Sequence, residues 1–157
     1  MSAAVPSRVV VVGAGLAGLR TAQGLRRAGF DGDLVVLGEE PHLPYDRPPL
    51  SKQLLLGSWD ADRVRLATPE VLAGAGIAVR TGEQVTGLHP AGHRVALASG
   101  EPLGYDALVV ATGAAPHAWP FPSGGLAGVH DLRRLDDALA LADAFAAGAR
   151  VAVVGAG

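Results

Sequence analysis

Three glycines near the N-terminus have the types and spacing of a phosphate-binding turn. Gly13, Gly15 and Gly18 follow a run of four valines in the order GxGxxG, and apolar residues recur after them at helical spacing. In such a turn Gly13 permits the tight bend, Gly15 lets the backbone approach a pyrophosphate, and Gly18 lets the helix pack closely on the strand. The amides at the start of the helix then face the phosphates. The candidate binding loop comprises Gly13, Ala14, Gly15, Leu16, Ala17 and Gly18.

An acidic pair follows the next apolar run. Residues 34–37 predict a second buried strand, and Glu39 and Glu40 lie just past it. A carboxylate at this position can accept hydrogen bonds from a ribose 2′-hydroxyl, which is typical of a dinucleotide-binding strand–helix–strand unit. We favour Glu39 as the ribose ligand. The alternative is a glycine-rich turn followed by two solvated glutamates, and the pattern itself does not distinguish NAD from FAD.

A proline-rich loop then presents two cations. Pro48 and Pro49 fix the backbone, and Pro48 is expected to hold Arg47 extended. Arg47 and Lys52 would then be presented to a ligand at little entropic cost. The alternative is a surface loop whose cations are solvated.

The elements that must position these residues predict an α/β fold. The sequence up to Gly38 reads as strand, helix and strand, and helical and strand patterns continue after it around a central hairpin. Such alternation favours a parallel sheet covered by helices. The further predicted elements are a helical turn capped by Ser51 and ending at Leu56, a helix over 68–74, a strand over 77–80, a hairpin of 84–88 with 94–98, a buried strand over 107–111, an amphipathic helix within 132–145 and a strand over 151–154.

The amino-acid composition argues against several classes of function. The net charge is -2, with no basic stripe and few aromatic residues, so nucleic acid is not an expected partner. The 157 residues contain no cysteine, which excludes disulfides, thiolate metal sites and a thiol nucleophile within this sequence. The histidines are not spaced as metal ligands, so no metal site is predicted. The longest apolar stretch, residues 9–19, is shorter than the ~20 residues that span a bilayer, and we expect a cytoplasmic protein without a membrane segment.

The proline-rich loop carries a family resemblance. Residues 45–52 read Tyr-Asp-Arg-Pro-Pro-Leu-Ser-Lys and resemble a segment of the ferredoxin, rubredoxin and putidaredoxin reductases, a branch of the FAD-dependent pyridine nucleotide-disulfide oxidoreductases. The resemblance implies a Rossmann-like FAD/NAD(P)-binding fold with a β-hairpin or meander insertion, and FAD as the dinucleotide. It also implies that Arg47 faces phosphate or flavin oxygens. Lys52, the candidate catalytic residue, would lie beside the reactive edge of the isoalloxazine, where a positive charge stabilises the reduced flavin.

Two further features match the same family. Ala111, Thr112 and Gly113 form the ATG motif that follows the third buried strand, and the resemblance places this turn near the dinucleotide phosphates. Val85 corresponds to a residue whose backbone amide and carbonyl bracket the adenine. A core valine within a strand is the alternative for Val85.

The last residues repeat the first motif. Gly155 and Gly157 form a second GxG, which by resemblance opens the phosphate loop of a nicotinamide domain. The resemblance divides the chain into an FAD-binding domain over 1–130, discontinuous in relatives, and a linker helix with the first strand and GxG of an NAD(P)-binding domain over 131–157. Because a GxG should open a helix that covers the sheet, we expect a truncated fold and an N-terminal part of a longer polypeptide.

The function implied by the resemblance is electron transfer. NADH or NADPH would pass hydride to FAD, and the reduced flavin would give single electrons to a ferredoxin- or rubredoxin-like iron–sulfur protein. Disulfide reductases of the wider family place cysteines soon after this loop, so their absence here predicts that electrons leave for an external carrier. We do not expect turnover by these residues alone. A truncated, non-catalytic FAD-binding module and a flavoprotein of the apoptosis-inducing-factor type remain alternatives.

Overall fold

A computed structural model describes residues 5–116, 128–146 and 148–154 of the chain. These residues belong to two compact units. The first comprises the chain up to Asp46 together with Arg65–Ala114, and the second comprises Arg47–Val64 together with the chain from Ala115 onward. Each unit has its own buried residues.

The described residues form seven strands and three α-helices. The strands are β1 (Arg8–Val12), β2 (Asp33–Leu37), β3 (Ala78–Arg80), β4 (Val85–His89), β5 (Arg94–Leu97), β6 (Pro102–Gly104) and β7 (Ala107–Val110). The α-helices are α1 (Leu16–Arg27), α2 (Pro69–Gly74) and α3 (Leu135–Ala146), and short 3-10 helices span Pro48–Ser51 and Pro90–Gly92.

The first unit is built on a four-stranded parallel sheet of order β3-β2-β1-β7. Its centre, β1, is a run of valines, which suit a strand covered on both faces. Val9 and Val11 pack with Leu19 of α1 on one face, and Val10 and Val12 belong to a second core on the other. The α/β fold with a parallel sheet predicted from the sequence is thereby confirmed.

The second core is closed by a three-stranded antiparallel sheet of order β4-β5-β6. Val95 and Leu97 of β5 are buried against the parallel sheet, while the opposite positions on this sheet are more exposed. The connection between β4 and β5 turns at His93, whose φ of 48° lies in the left-handed region. The predicted hairpin is confirmed, and β6 extends it into a meander.

The second unit contains the 3-10 helix Pro48–Ser51, which contacts α3. Asp137 stabilises the start of α3, because its Oδ2 accepts hydrogen bonds from the backbone amides of Arg133 (3.0 Å) and Arg134 (2.7 Å). The predicted helical turn ending at Leu56 is present, because the Leu56 amide donates to the Lys52 carbonyl oxygen (3.0 Å), but the prediction that Ser51 caps it is wrong. The two prolines start a helix at position 48, as the fixed φ of proline favours, so Ser51 lies at its end and hydrogen-bonded turns follow.

Two predicted strands differ from expectation. The segment 107–111 was expected to be buried, but β7 lies at one edge of its sheet and Val110 is 65% exposed. The segment 151–154 is not a strand, and Val153 is 84% exposed. A strand needs a neighbouring backbone to pair with, and none of the described strands pairs with this segment. No helix among the described residues combines the length and hydropathy needed to cross a bilayer.

Candidate functional site

The candidate site lies at the carboxyl edge of the parallel sheet. Val12, the last residue of β1, pairs with Leu37 at the end of β2 and with Val110 at the end of β7. The glycine loop, the acidic pair and the ATG motif follow these three strands directly. Since β2 and β7 flank β1 on opposite sides, the loop after β1 opens at the point where the strand order reverses, which is where parallel α/β sheets bind dinucleotides.

Two glycines of the loop are required by the backbone itself. Gly13 has a φ of 112°, its amide donates to the Leu37 carbonyl oxygen (2.8 Å), and a Cβ there would overlap the Ala111 carbonyl oxygen. A Cβ on Gly18 would overlap the Gly13 carbonyl oxygen. The tight bend and the close helix–strand contact predicted for these positions are both present.

Gly15 is different because none of the described residues fills the space beside it. It is the N-cap of α1, with a φ of -82° that any residue can adopt, and a Cβ there would meet no heavy atom within 4 Å. No side chain caps the helix, and its first turn contains no acidic residue. Leu16 and Ala17 are exposed beside it. The positive end of α1 therefore opens into space that suits an anionic group such as a pyrophosphate, so these residues fit a dinucleotide.

The loop after β2 is fixed against its neighbours. The Gly38 amide donates to the Arg80 carbonyl oxygen (2.9 Å), and the Gly38 carbonyl oxygen accepts from the Glu83 amide (2.8 Å). A Cβ on Gly38 would lie 2.7 Å from the Ala14 Cβ, so this turn lies directly beside the glycine loop. Glu39 follows with an exposed side chain. The structure thus brings the predicted ribose ligand to the same edge as the phosphate-binding turn.

Glu40, the other member of the acidic pair, is engaged inside the protein. The hydroxyl of Tyr45, a residue only 7% exposed, donates to Glu40 Oε2 at 2.6 Å. Nothing in the spacing of the two residues indicated this contact, because it depends on how the loop between them folds back. The contact gives the Glu40 side chain a role within the protein, which agrees with the choice of Glu39 rather than Glu40 as the ribose ligand.

The ATG motif and Val85 complete the candidate residues of the first unit. The Ala111 amide donates to the Val12 carbonyl oxygen (2.7 Å), Thr112 is exposed, and Gly113 has a φ of 74° that favours glycine. Val85 begins β4 and is half-buried against the second core. Both the core position and the adenine-binding role predicted for Val85 are compatible with this placement.

Arg47 and Lys52 belong to the second unit. Lys52 is exposed, and its amide donates to the Pro49 carbonyl oxygen (3.1 Å). Arg47 is half-buried, and the prediction that Pro48 holds it extended is wrong. Its φ and ψ of -85° and -36° are helical because its carbonyl oxygen accepts from the Leu50 amide (2.9 Å) and starts the 3-10 helix. That hydrogen bond outweighs the usual pre-proline preference.

Gly155 and Gly157 lie outside the described residues. Within the part of the chain that the structure describes, no group of three or more histidine and acidic residues could hold a metal ion.

Asp106 was not singled out from the sequence, yet its Oδ2 accepts from the amides of Ser7 and Arg8 (both 2.8 Å) and joins the start of β1 to the segment before β7.

Comparison with known proteins agrees with this geometry. A probable ferredoxin reductase of Castellaniella defragrans is 44% identical over 96% of this chain and 37% of its own length. The ferredoxin–NAD(+) reductase subunit of a benzene 1,2-dioxygenase system of Pseudomonas putida is 39% identical, again over 96% of this chain and 37% of its own length. The chain thus spans little more than a third of the length of these relatives.

A solved structure has the same fold. The covalent putidaredoxin reductase–putidaredoxin complex matches 87% of this chain and 34% of the compared chain, with a TM-score of 0.80 and 37% identity. Residues 7–157 also match the family described as pyridine nucleotide-disulphide oxidoreductase. With its glycine loop at the switch point of a parallel sheet, this chain belongs to the pyridine nucleotide-disulphide oxidoreductase family.

Proposed function

We propose that this chain supplies the FAD-binding part of an NAD(P)H-dependent flavoprotein reductase that passes electrons to a ferredoxin- or rubredoxin-like iron–sulfur carrier. The observation that supports it best is the uncapped N-terminus of α1, where Gly15 leaves open space at the switch point of the sheet. The names of the relatives, which include two ferredoxin reductases, favour this activity over other members of the family.

The dinucleotide would be held mainly by backbone groups. The loop from Gly13 to Gly18 would bind the pyrophosphate, the Glu39 carboxylate the adenosine ribose, and the turn from Ala111 to Gly113 would approach the phosphates. Val85 would contact the adenine through its backbone. FAD, when bound, supplies the exchange between a two-electron hydride donor and a one-electron carrier.

The two cations of the second unit have proposed roles as well. Arg47 would face phosphate or flavin oxygens, and Lys52 would place its ammonium group near the flavin, where it favours added negative charge. Lys52 is exposed and Arg47 half-buried, which leaves the Lys52 side chain accessible to a ligand. Substituting Lys52 with methionine is expected to lower the flavin reduction potential without changing the fold.

The proposed domain division places the FAD-binding domain at 1–130. Residues 131–157 would contribute a linker helix and the start of an NAD(P)-binding domain, with Gly155 and Gly157 in its phosphate loop. The sequence contains no cysteine, so no thiol within it can take electrons from the flavin, which supports a separate carrier protein as acceptor. A cytoplasmic location belongs to the same proposal, because NAD(P)H is supplied there.

The proposal is tested on the full-length protein after incubation with FAD and desalting. Retained flavin absorption, bleached by NADH or NADPH under nitrogen and restored by an oxidised ferredoxin or rubredoxin, is the expected result. Retained flavin that neither nucleotide reduces would favour a non-catalytic FAD-binding module. Reduction by the nucleotide without transfer to either carrier would favour a flavoprotein of the apoptosis-inducing-factor type, and a protein that retains no flavin would refute the proposal.

A further inference from the structure

The loop after β2 contains a partly buried hydrogen bond that the proposed binding roles do not use. The Tyr45 hydroxyl donates to Glu40 Oε2 at 2.6 Å, a length typical of a strong bond between a hydroxyl and a carboxylate. Tyr45 is 7% exposed, and its ring meets the ring of His42 edge-on with 6.4 Å between centroids. A short hydrogen bond to a carboxylate that is partly shielded from water is expected to constrain both partners.

Tyr45 is itself anchored by the backbone. It forms an antiparallel bridge with Arg65, and the preceding carbonyl oxygen, of Pro44, accepts from the Leu66 amide (2.8 Å). These contacts join the loop to the segment that leads into α2. The backbone that carries the tyrosine ring is therefore fixed, which limits where its hydroxyl can lie and so where the Glu40 carboxylate can meet it.

Glu40 is held at its backbone as well as its side chain. Its carbonyl oxygen accepts from the Gly82 amide (2.9 Å), while the amide of Gly38 is bonded to the last residue of β3 and its carbonyl to the segment after β3. Glu39 thus lies between two residues that are fixed, and its own side chain is exposed at the carboxyl edge of the sheet. Of the two residues that flank Glu39, only Glu40 has a side chain that adds to this restraint.

We propose that Tyr45 is a positioning residue for ribose recognition: by holding the Glu40 side chain, it fixes the peptide that carries the Glu39 carboxylate. The inference rests on the proposed binding of FAD and names the determinant of one contact in that site. A carboxylate on a pre-organised backbone binds a hydroxyl with less loss of conformational entropy than one on a mobile turn. Tyr45 and Glu40 do not contact the ribose themselves in this proposal.

The test compares two ligands and two tyrosines. FAD and an FAD analogue whose adenosine ribose lacks the 2′-hydroxyl are titrated into the full-length apoprotein, and their dissociation constants are measured by flavin fluorescence. Tyr45→Phe removes the hydroxyl and keeps the ring. Tyr105→Phe makes the same change at a half-buried tyrosine packed against His93 and is the matched control.

Tyr45→Phe is expected to weaken FAD binding about tenfold, the size of a lost hydrogen bond to a charged group, and to leave binding of the analogue unchanged. Tyr105→Phe is expected to change neither. In a Glu39→Ala background, Tyr45→Phe should add no further loss, because the group it positions is gone. Glu40→Ala, which leaves the tyrosine ring in place, should reproduce the Tyr45→Phe result even if that variant folds poorly.

Three results would overturn the inference. Equal weakening of FAD and the analogue would show a general structural effect, and additive losses with Glu39→Ala would show that Tyr45 acts on another part of the site. Unchanged FAD affinity in both Tyr45→Phe and Glu40→Ala would show that the hydrogen bond has no role in binding. Each of these leaves wild-type FAD binding intact, whereas failure of the proposed function appears as absent binding in the wild-type protein.

Discussion

Replacing Gly15 with alanine is expected to weaken dinucleotide binding and to leave the stability of the fold nearly unchanged. The fold tolerates a Cβ at this position, whereas a bound dinucleotide would not. The backbone of Gly15 is extended, and an added Cβ meets no atom of the described residues within 4 Å. The fold therefore accepts alanine. The space that the Cβ enters is the space through which a pyrophosphate would approach the helix N-terminus, so a bound dinucleotide does not accept it.

The magnitudes differ enough to be measured. Alanine is a poorer N-cap than glycine by about 0.5 kcal/mol, and restricting the unfolded chain offsets this by about 0.4–1 kcal/mol, so the free energy of unfolding should change by less than about 0.5 kcal/mol. A methyl group forced into a closely packed contact costs about 1–3 kcal/mol. The dissociation constant for FAD is therefore expected to rise between about 5-fold and 150-fold.

Gly13→Ala is the contrasting variant. Its positive φ and the overlap with the Ala111 carbonyl oxygen require the backbone to shift, which we expect to cost about 3 kcal/mol. At about 2–4 °C per kcal/mol, the melting temperature should fall by about 6–12 °C.

The assay for both variants is thermal unfolding of the apoprotein by circular dichroism, followed by FAD titration. A Gly15→Ala protein that binds FAD as tightly as the wild type would refute the assignment of this space to the pyrophosphate. A Gly15→Ala apoprotein destabilised as much as Gly13→Ala would contradict the view that the fold leaves the position open.

Three smaller predictions concern the stability of the fold. Asp106→Ala removes the acceptor of two backbone amides and should lower the free energy of unfolding by about 1–2 kcal/mol in urea titrations. The control is Asp31→Ala, at an exposed aspartate between α1 and β2, which should change the free energy of unfolding by less than about 0.5 kcal/mol. Arg26→Lys loses the forked donation to three backbone carbonyls and should cost about 2 kcal/mol in the same assay; an unchanged midpoint would contradict this. The hydrogen bond with Thr68 holds the pKa of Glu70 below its ordinary value of 4.5, so the ionised carboxylate stabilises the fold above that pH and this stabilisation is lost as the pH falls through the lowered pKa. Thr68→Val should raise the pKa of Glu70 in an NMR titration, and an unshifted titration would refute the assigned cause.

The parts of the fold that could be predicted are those whose signals are local. The valine run of β1, the glycines that follow it and the helical spacing of α1 each favour the same structure, and all three are observed. The conformation of Arg47 could not be predicted from its proline neighbour, because a hydrogen bond to the Leu50 amide decides it. The exposure of β7 depends on the position of that strand at the sheet edge, which its apolar sequence does not contain.

In the candidate site, too, the features set by local sequence could be predicted and those set by the folded loop could not. A glycine indicates a backbone conformation or a close contact that other residues do not allow, so the tight bend at Gly13 and the close packing at Gly18 could be predicted from the sequence. The hydrogen bond between Glu40 and Tyr45 could not, because it depends on how the loop between these two residues folds. Residue type therefore predicts constraints on the main chain well, whereas a side-chain hydrogen bond depends on the folded path of the loop even when the two residues are close in sequence.

The contact between Gly13 and Ala111 links two motifs that are far apart in the chain. Any side chain at Gly13 would overlap the Ala111 carbonyl oxygen, and the Ala111 amide is bonded to the last residue of β1. The first turn of the glycine loop and the start of the ATG motif are therefore packed against each other with no room for a Cβ between them. This packing is made by protein atoms alone, so the ATG turn supports the shape of the glycine loop as well as lying near the proposed phosphates. A variant that moves the backbone at Ala111 is then expected to disturb the loop at Gly13 even where it leaves every proposed ligand contact of its own turn in place.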